Sequence, residues 1–275
     1  MMLESVLVKQ VTTKEELEKV FDLEREIWQD TYEPMHQMLK EDLNSTLLVG
    51  AYLEGELIGF SYGDGDRSSE GVLYSHLLGI KRQYREIGVG ELLKLKQKEL
   101  ADELGYTKCQ WLFEPLEART AYLYFTKLRA YGTAYIENRE PEMGEASAIP
   151  TDRLIVEWNI QDEDHIRWDA KIDELKDSAA EIVPSSLTIV GLPVLDSEHQ
   201  FDSDISYLKD AYTLAIPSSF MKIKVESPSL AEDWRYKTRT IFQTLFRQGY
   251  MIVCLTPTNE HVSHYLFVKR TLFAM

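Results

Sequence analysis

The chain has 275 residues, 44% hydrophobic and 28% charged, the proportions of a globular protein with one large or two moderate domains. Acids outnumber bases 46 to 30, and the resulting net charge of −16 argues against a general nucleic-acid-binding surface. Two cysteines, Cys109 and Cys254, and six scattered histidines show no metal-ligand spacing. Residues Met1 to Lys9 are neither a signal peptide nor an anchor, and no stretch reaches the roughly 18 apolar residues of a membrane span. Buried free thiols in a reducing cytoplasm are expected.

Val6 to Val11 reads as a first strand. Thr13 and Glu16 form a capping box that opens a helix with Leu17, Val20, Phe21, Ile27 and Trp28 on its apolar side. Asp30 to Asn44 is a second helical region broken by Pro34. Thr46 to Tyr52, the turn Glu54-Gly55, and Glu56 to Tyr62 make a hairpin, and Asp64 to Gly71 is a polar loop. Val72 to Ile80 is almost continuously apolar, which predicts a central strand covered on both faces.

Arg85-Glu86-Ile87-Gly88-Val89-Gly90 then joins that strand to a helix carrying Leu92, Leu93, Leu100 and Leu104 and stopping at Gly105. Two glycines let the backbone approach a ligand, and the freed amides of a helix start attract phosphate. Lys81, Arg82 and Arg85 add local positive charge against the acidic whole. The pattern alone is also plain strand-to-helix punctuation.

Lys108 to Phe113 is the next strand, and Pro115 ends it. Glu117 to Arg129 is a helix, and Ala134 to Ile136 and Arg153 to Ile160 are strands, with a long connection between Asn138 and Thr151. The acidic run Gln161 to Asp164 marks a boundary, giving regions 1–160 and 161–275. Beyond it come an apolar run Leu187 to Leu192, a strand around Tyr212 to Ile216, a helix capped by Ser229 and Glu232, and strands Tyr250 to Leu255 and Tyr265 to Lys269.

The element order of residues 6–160, with the R-x-x-G-x-G loop between its fourth strand and the following helix, resembles the GNAT acyltransferase superfamily. Tyr74 to Gly79, Trp111 to Arg119 and Pro150 to Leu154 further resemble a bacterial family of predicted GNAT acyltransferases with a C-terminal extension, as does the tail from Ile216 to Tyr250. The implied fold is α/β (α+β): a mixed, mostly antiparallel central sheet flanked by helices, with a smaller C-terminal αβ region. The implied co-substrate is acetyl-CoA or another acyl-CoA, succinyl-CoA included, with no metal. The implied acceptor is a small-molecule amine such as an amino acid, with no nucleic acid or membrane partner; a homodimer is allowed.

By that resemblance Arg82, Arg85, Glu86, Ile87, Gly88, Val89 and Gly90 hold the CoA pyrophosphate, and Leu78, Gly79 and Ile80 pair with the pantetheine arm. A backbone amide near Leu78 polarises the thioester, and Gly79, without a side chain, permits close approach or serves packing. A base is needed to free the amine, and a donor to protonate the leaving thiolate. His76, two residues before Leu78 and on its face, Glu114 at a strand end, and Glu117 at a helix start are candidates for the base or for substrate contact. The family's acid tyrosine falls on Phe125, which leaves Tyr122 or Tyr124, or no dedicated acid. Arg153 suits a substrate carboxylate or an ion pair with Asp152. Cys109, with no paired histidine, is not expected to act as a nucleophile. Two rival readings are an acyltransferase for protein amines, which an open acceptor groove would favour, and a non-catalytic acyl-CoA sensor, which the Phe125 departure keeps open.

Overall fold

The computed structural model describes residues 3–28, 46–65, 71–138, 149–161, 165–196 and 209–273. The expected helix over Asp30 to Asn44 and most of the 138–151 connection lie outside them. The described residues group into two compact units: Met1–Trp111 with Trp158–Gln161, and Leu112–Arg139 with Ser147–Glu157 and Asp162–Met275.

In the first unit, β1 (Val6–Gln10), β2 (Thr46–Leu53), β3 (Glu56–Asp64) and β4 (Val72–Ile80) pair antiparallel in chain order, and β5 (Lys108–Phe113) joins β4 in parallel. Helix α1 (Lys14–Trp28) starts on the expected capping box: the Glu16 amide donates to Thr13 Oγ1, and Glu16 Oε2 accepts from the amides of Thr12 and Thr13. The apolar side of α1 gives Val20 and Leu23 to a core with Leu48, Phe60, Tyr62 and Leu77. Helix α2 (Val89–Glu103) covers the other face, and nearly every residue of β2 and β3 is buried. An unusual polar group lies under α2: Lys94 Nζ donates to Ser75 Oγ (2.8 Å) and Gln97 Oε1 (3.1 Å), 4.0 Å from the centre of the Trp111 ring. Burial lowers the Lys94 pKa to about 8.

Strand β4 corrects one expectation. Burial alternates along it, with Leu73, Ser75 and Leu77 inward and Tyr74 and His76 exposed, so only one face is covered. Its ladder with β5 is short, Val72–Tyr74 against Lys108–Gln110. Against β3 the partners jump from Tyr62↔Leu77 to Gly63↔Ser75, which makes His76 the extra residue of a β-bulge.

In the second unit the strand order is β7 (Arg153–Asn159), β6 (Tyr131–Ile136), β12 (Tyr250–Pro257), β13 (Val262–Lys269), β11 (Ala211–Pro217) and β8 (Ala180–Glu181), antiparallel except for the last pair. A separate hairpin joins β9 (Ser185–Leu187) to β10 (Pro193–Leu195). Helix α4 (His165–Ser178) brings Ile172 and Leu175 against Tyr131, Met251 and Leu266. Short α5 (Phe220–Glu226) leads into α6 (Pro228–Arg247). The N-cap of α6 is Ser227 with Pro228 behind it, two residues before the expected Ser229, because proline at N1 fits a helix start. The expected helix over 117–129 is α3 (Ala118–Ala121) running into a π-helical turn, Tyr122–Lys127, closed by the Leu128 amide on Leu123 O (2.9 Å).

Candidate active site

The glycine loop is built as a backbone concavity. Arg82–Tyr84 makes one 3-10 turn after β4. Glu86 (φ 69°) and Gly88 (φ 99°) then take left-handed conformations on either side of Ile87. Such alternation of hand gathers successive amides around one point. The Leu92 amide bonds Gly88 O (3.2 Å), and helical geometry leaves those of Val89, Gly90 and Glu91 without intrahelical acceptors. These donors and the positive end of α2 form a place for phosphate.

The surrounding charge is narrower than expected. Lys81 is held by Glu56 (2.6 Å) and Glu26 (3.4 Å), and the bond to Glu56 does most to raise its pKa. Arg82 and Arg85 are exposed. Arg85 Nε donates to Ile80 O (3.0 Å), which fixes the arginine at the end of β4 and leaves its terminal nitrogens for an anion.

Two readings of β4 change. A Cβ on Gly79 would meet Phe60 (2.7 Å), Trp28 (3.0 Å) and Ile27 (3.1 Å), so the missing side chain there serves packing of α1 on the sheet rather than ligand approach. The Ile80 carbonyl accepts one bond from Arg85, which leaves it a single lone pair for a ligand arm. Leu78 is half-buried, beyond the β4–β5 ladder.

His76 has a partner the sequence reading missed. Its Nε2 lies 2.9 Å from Asp64 Oδ1, and Tyr62 Oη donates to Asp64 Oδ2 (3.2 Å) while its ring lies beside the imidazole. Burial first, and the Asp64 charge second, push the Tyr62 pKa well up and keep its phenol a donor. The sequence reading put Asp64 at the start of a polar loop; in the structure it ends β3, and its approach to His76 depends on the bulge.

The remaining candidates belong to the second unit. Arg235 of α6 donates to both carboxylate oxygens of Glu114, and the Leu116 amide donates to Glu114 Oε1 (3.0 Å). Burial raises the Glu117 pKa, with the Glu114 charge adding to it against Arg119 and Lys224. Tyr124 is buried edge-on against Phe113, and desolvation holds its hydroxyl protonated. Phe125 is packed between Phe113 and Tyr265. Arg153 Nη1 donates to the backbone carbonyl of Asp152 (3.1 Å), and the Asp152 carboxylate instead accepts from Arg239 Nε and Nη2, both at 2.8 Å. Both cysteines are buried and free, and burial raises the Cys109 thiol to about 11, a protonated and poor nucleophile.

The loop lies inside residues 14–128, which match the model of the acetyltransferase (GNAT) family. Residues 14–128 are a GNAT acetyltransferase domain. The match spans less than half of the chain and supports N-acetyltransferase chemistry for that domain. Among solved structures, the ribosomal-protein-S18-alanine N-acetyltransferase from Escherichia coli aligns with 12% identity and a TM-score of 0.46, over 56% of this chain and 94% of its own. A phosphinothricin acetyltransferase from Sinorhizobium meliloti, in complex with acetyl-CoA, aligns with 14% identity and a TM-score of 0.47, over 56% and 88%. The PaiA N-acetyltransferase from Thermoplasma acidophilum, in complex with coenzyme A, aligns with 16% identity and a TM-score of 0.39, over 56% and 99%. No curated protein matches the chain. Among the described residues no helix is long and apolar enough to cross a membrane.

Proposed function

We propose that the chain transfers an acetyl or succinyl group from its CoA thioester to a small amine, an amino acid in the first instance, by direct attack in the cytoplasm. The observation that carries this reading is the Arg85–Gly90 concavity: two left-handed residues and a helix start whose first amides lack intrahelical acceptors, beside two exposed arginines. Amides from Ile87 to Gly90 hold the pyrophosphate, and Arg82 and Arg85 add charge-assisted bonds. A thioester supplies an activated carbonyl with a good leaving group. The Leu78 amide polarises that carbonyl. Residues 1–160 carry the transferase site, with Glu114, Glu117 and Arg153 serving the acceptor.

His76 is the base in this reading. With Nε2–H donated to Asp64, Nδ1 carries the free lone pair and takes the proton of the attacking amine. The amine nitrogen bonds to the carbonyl carbon, the C–S bond breaks, and the thiolate is protonated from solvent, which also takes up the proton left on His76. Glu114, engaged by Arg235, is assigned to positioning the acceptor, and Glu117, whose pKa burial raises, to receiving its ammonium.

Thiol release from acetyl-CoA and succinyl-CoA against the standard amino acids tests the proposal; release that depends on an amine is expected. The burial of Tyr124 and Phe125 favours one other reading, acyl-CoA binding without transfer. Tight acyl-CoA binding with no release across the amines would select it.

A further inference from the structure

The tail of the chain holds the segments assigned above to the acceptor, and α6 does the holding. Arg235 and Arg239 stand four residues apart on α6, so their side chains share one face. Arg235, 1% exposed, grips both oxygens of Glu114. Arg239 grips both oxygens of Asp152, the residue before Arg153. The Asp152 carboxylate, fully buried, also accepts from Tyr135 Oη and the Asn138 amide. A third tail residue completes the hold: Tyr265 Oη donates to the carbonyl of Pro115 (2.7 Å), next to Glu114.

Burying such pairs is not by itself a route to stability. Arg235 Nε and Nη1 are buried and make no bond to Glu114, and Tyr135 is the other polar neighbour that acts on this guanidinium. An unsatisfied buried donor costs free energy, and a buried ion pair is often matched or bettered by apolar side chains of the same volume. What the pair does supply is a fixed place for the Glu114 carboxylate and for the chain from Pro115 to Glu117. The Arg239–Asp152 grip does the same for the start of β7.

We infer that Arg235 and Arg239 are positioning residues for the acceptor, and that the C-terminal region is thereby part of the acceptor side rather than an appended module. The inference rests on the acceptor roles proposed for Glu114, Glu117 and Arg153.

The test uses the full chain and thiol release with acetyl-CoA, each free amino acid serving in turn as probe. The variants are Arg235→Lys, the matched pair Glu114→Gln with Arg235→Met, and Arg239→Lys. Phe242→Leu, a buried change on the same helix, is the structural control. For the three arginine variants the KM of the best amino acid is expected to rise at least tenfold while acetyl-CoA affinity by calorimetry stays within twofold. The control is expected to lower Tm and leave both constants unsplit. Arginine variants with an unchanged acceptor KM would overturn the inference, as would parallel loss of acetyl-CoA affinity, acceptor KM and Tm. A wild-type chain that binds acetyl-CoA but releases no thiol with any amino acid would overturn the transfer reading, and this inference with it.

Discussion

Two residues carry opposite lessons about charge in this chain. Lys94 is buried on α2, and its pKa is lowered to about 8 by desolvation. The unfolded value is higher, so the cost of burying the charge is present in full below pH 8 and falls away as pH rises from 8 towards 10.5. Lys94→Met is expected to stabilise the protein at pH 7 by about 3 kcal/mol or less, with the gap to wild type closing above pH 8. Urea melts of both proteins from pH 6 to 10 check this; a gap independent of pH contradicts it. His76 was legible from the sequence because it stands two residues before Leu78 on a strand preceding the glycine loop. Its Asp64 partner was not, since a one-residue bulge decides which side chains meet. His76→Ala and Asp64→Asn are expected to lower kcat by about 10²-fold or more and about tenfold respectively, with acetyl-CoA affinity kept. Equal loss of acetyl-CoA affinity would remove His76 from the role of base.

Among the elements, those with local causes were the readable ones. The capping box of α1 formed as its four-residue pattern requires. Its Glu16 is drawn down to a pKa of about 2, first by the Lys9 bond and then by the Thr12 amide. The stability it adds is therefore whole above about pH 4.5 and declines as pH falls towards 2. Thr13→Ala is expected to cost about 1 kcal/mol at pH 7 in thermal melts, and no change would mean α1 does not depend on its cap. The π-helical turn Tyr122–Lys127 was not readable, since the apolar spacing of Ala121, Tyr124, Phe125 and Leu128 fits an α-helix equally well. That turn also reshapes the question of the acid. Counting back from Lys127-Leu128 assumes α-helical rotation, and the widened turn buries Tyr124 beside Phe125 instead of turning one of them outward. The same dependence on packing separates Gly88, held at a positive φ, from Gly79, held by its neighbours. Gly88→Val would add backbone strain of about 1–3 kcal/mol to any effect on CoA binding, so arginine variants give the cleaner test of the loop.

At the scale of the whole molecule, one compact unit combines residues 112–139 and 147–157 with the tail. The acidic composition shift after Ile160 says nothing about which apolar side chains share a core. In that unit Phe125 packs on Tyr265, Tyr135 stacks on Phe242, and Tyr131 meets Met251. Each such side chain contributes about 1.5–3 kcal/mol by burial. A chain ended after Ile160 is therefore expected to lose cooperative unfolding, as judged by near-UV circular dichroism; a sharp native-like transition would show that the tail is dispensable to the fold. The net charge of −16 works against any anionic ligand, so the loop must supply its own attraction. Calorimetry of acetyl-CoA with the full chain, wild type against Arg82→Gln/Arg85→Gln, measures this most directly. One-to-one binding that weakens at least tenfold in the double variant is predicted. No binding by the wild type, or equal affinity for both proteins, would contradict the assignment of the Arg85–Gly90 loop.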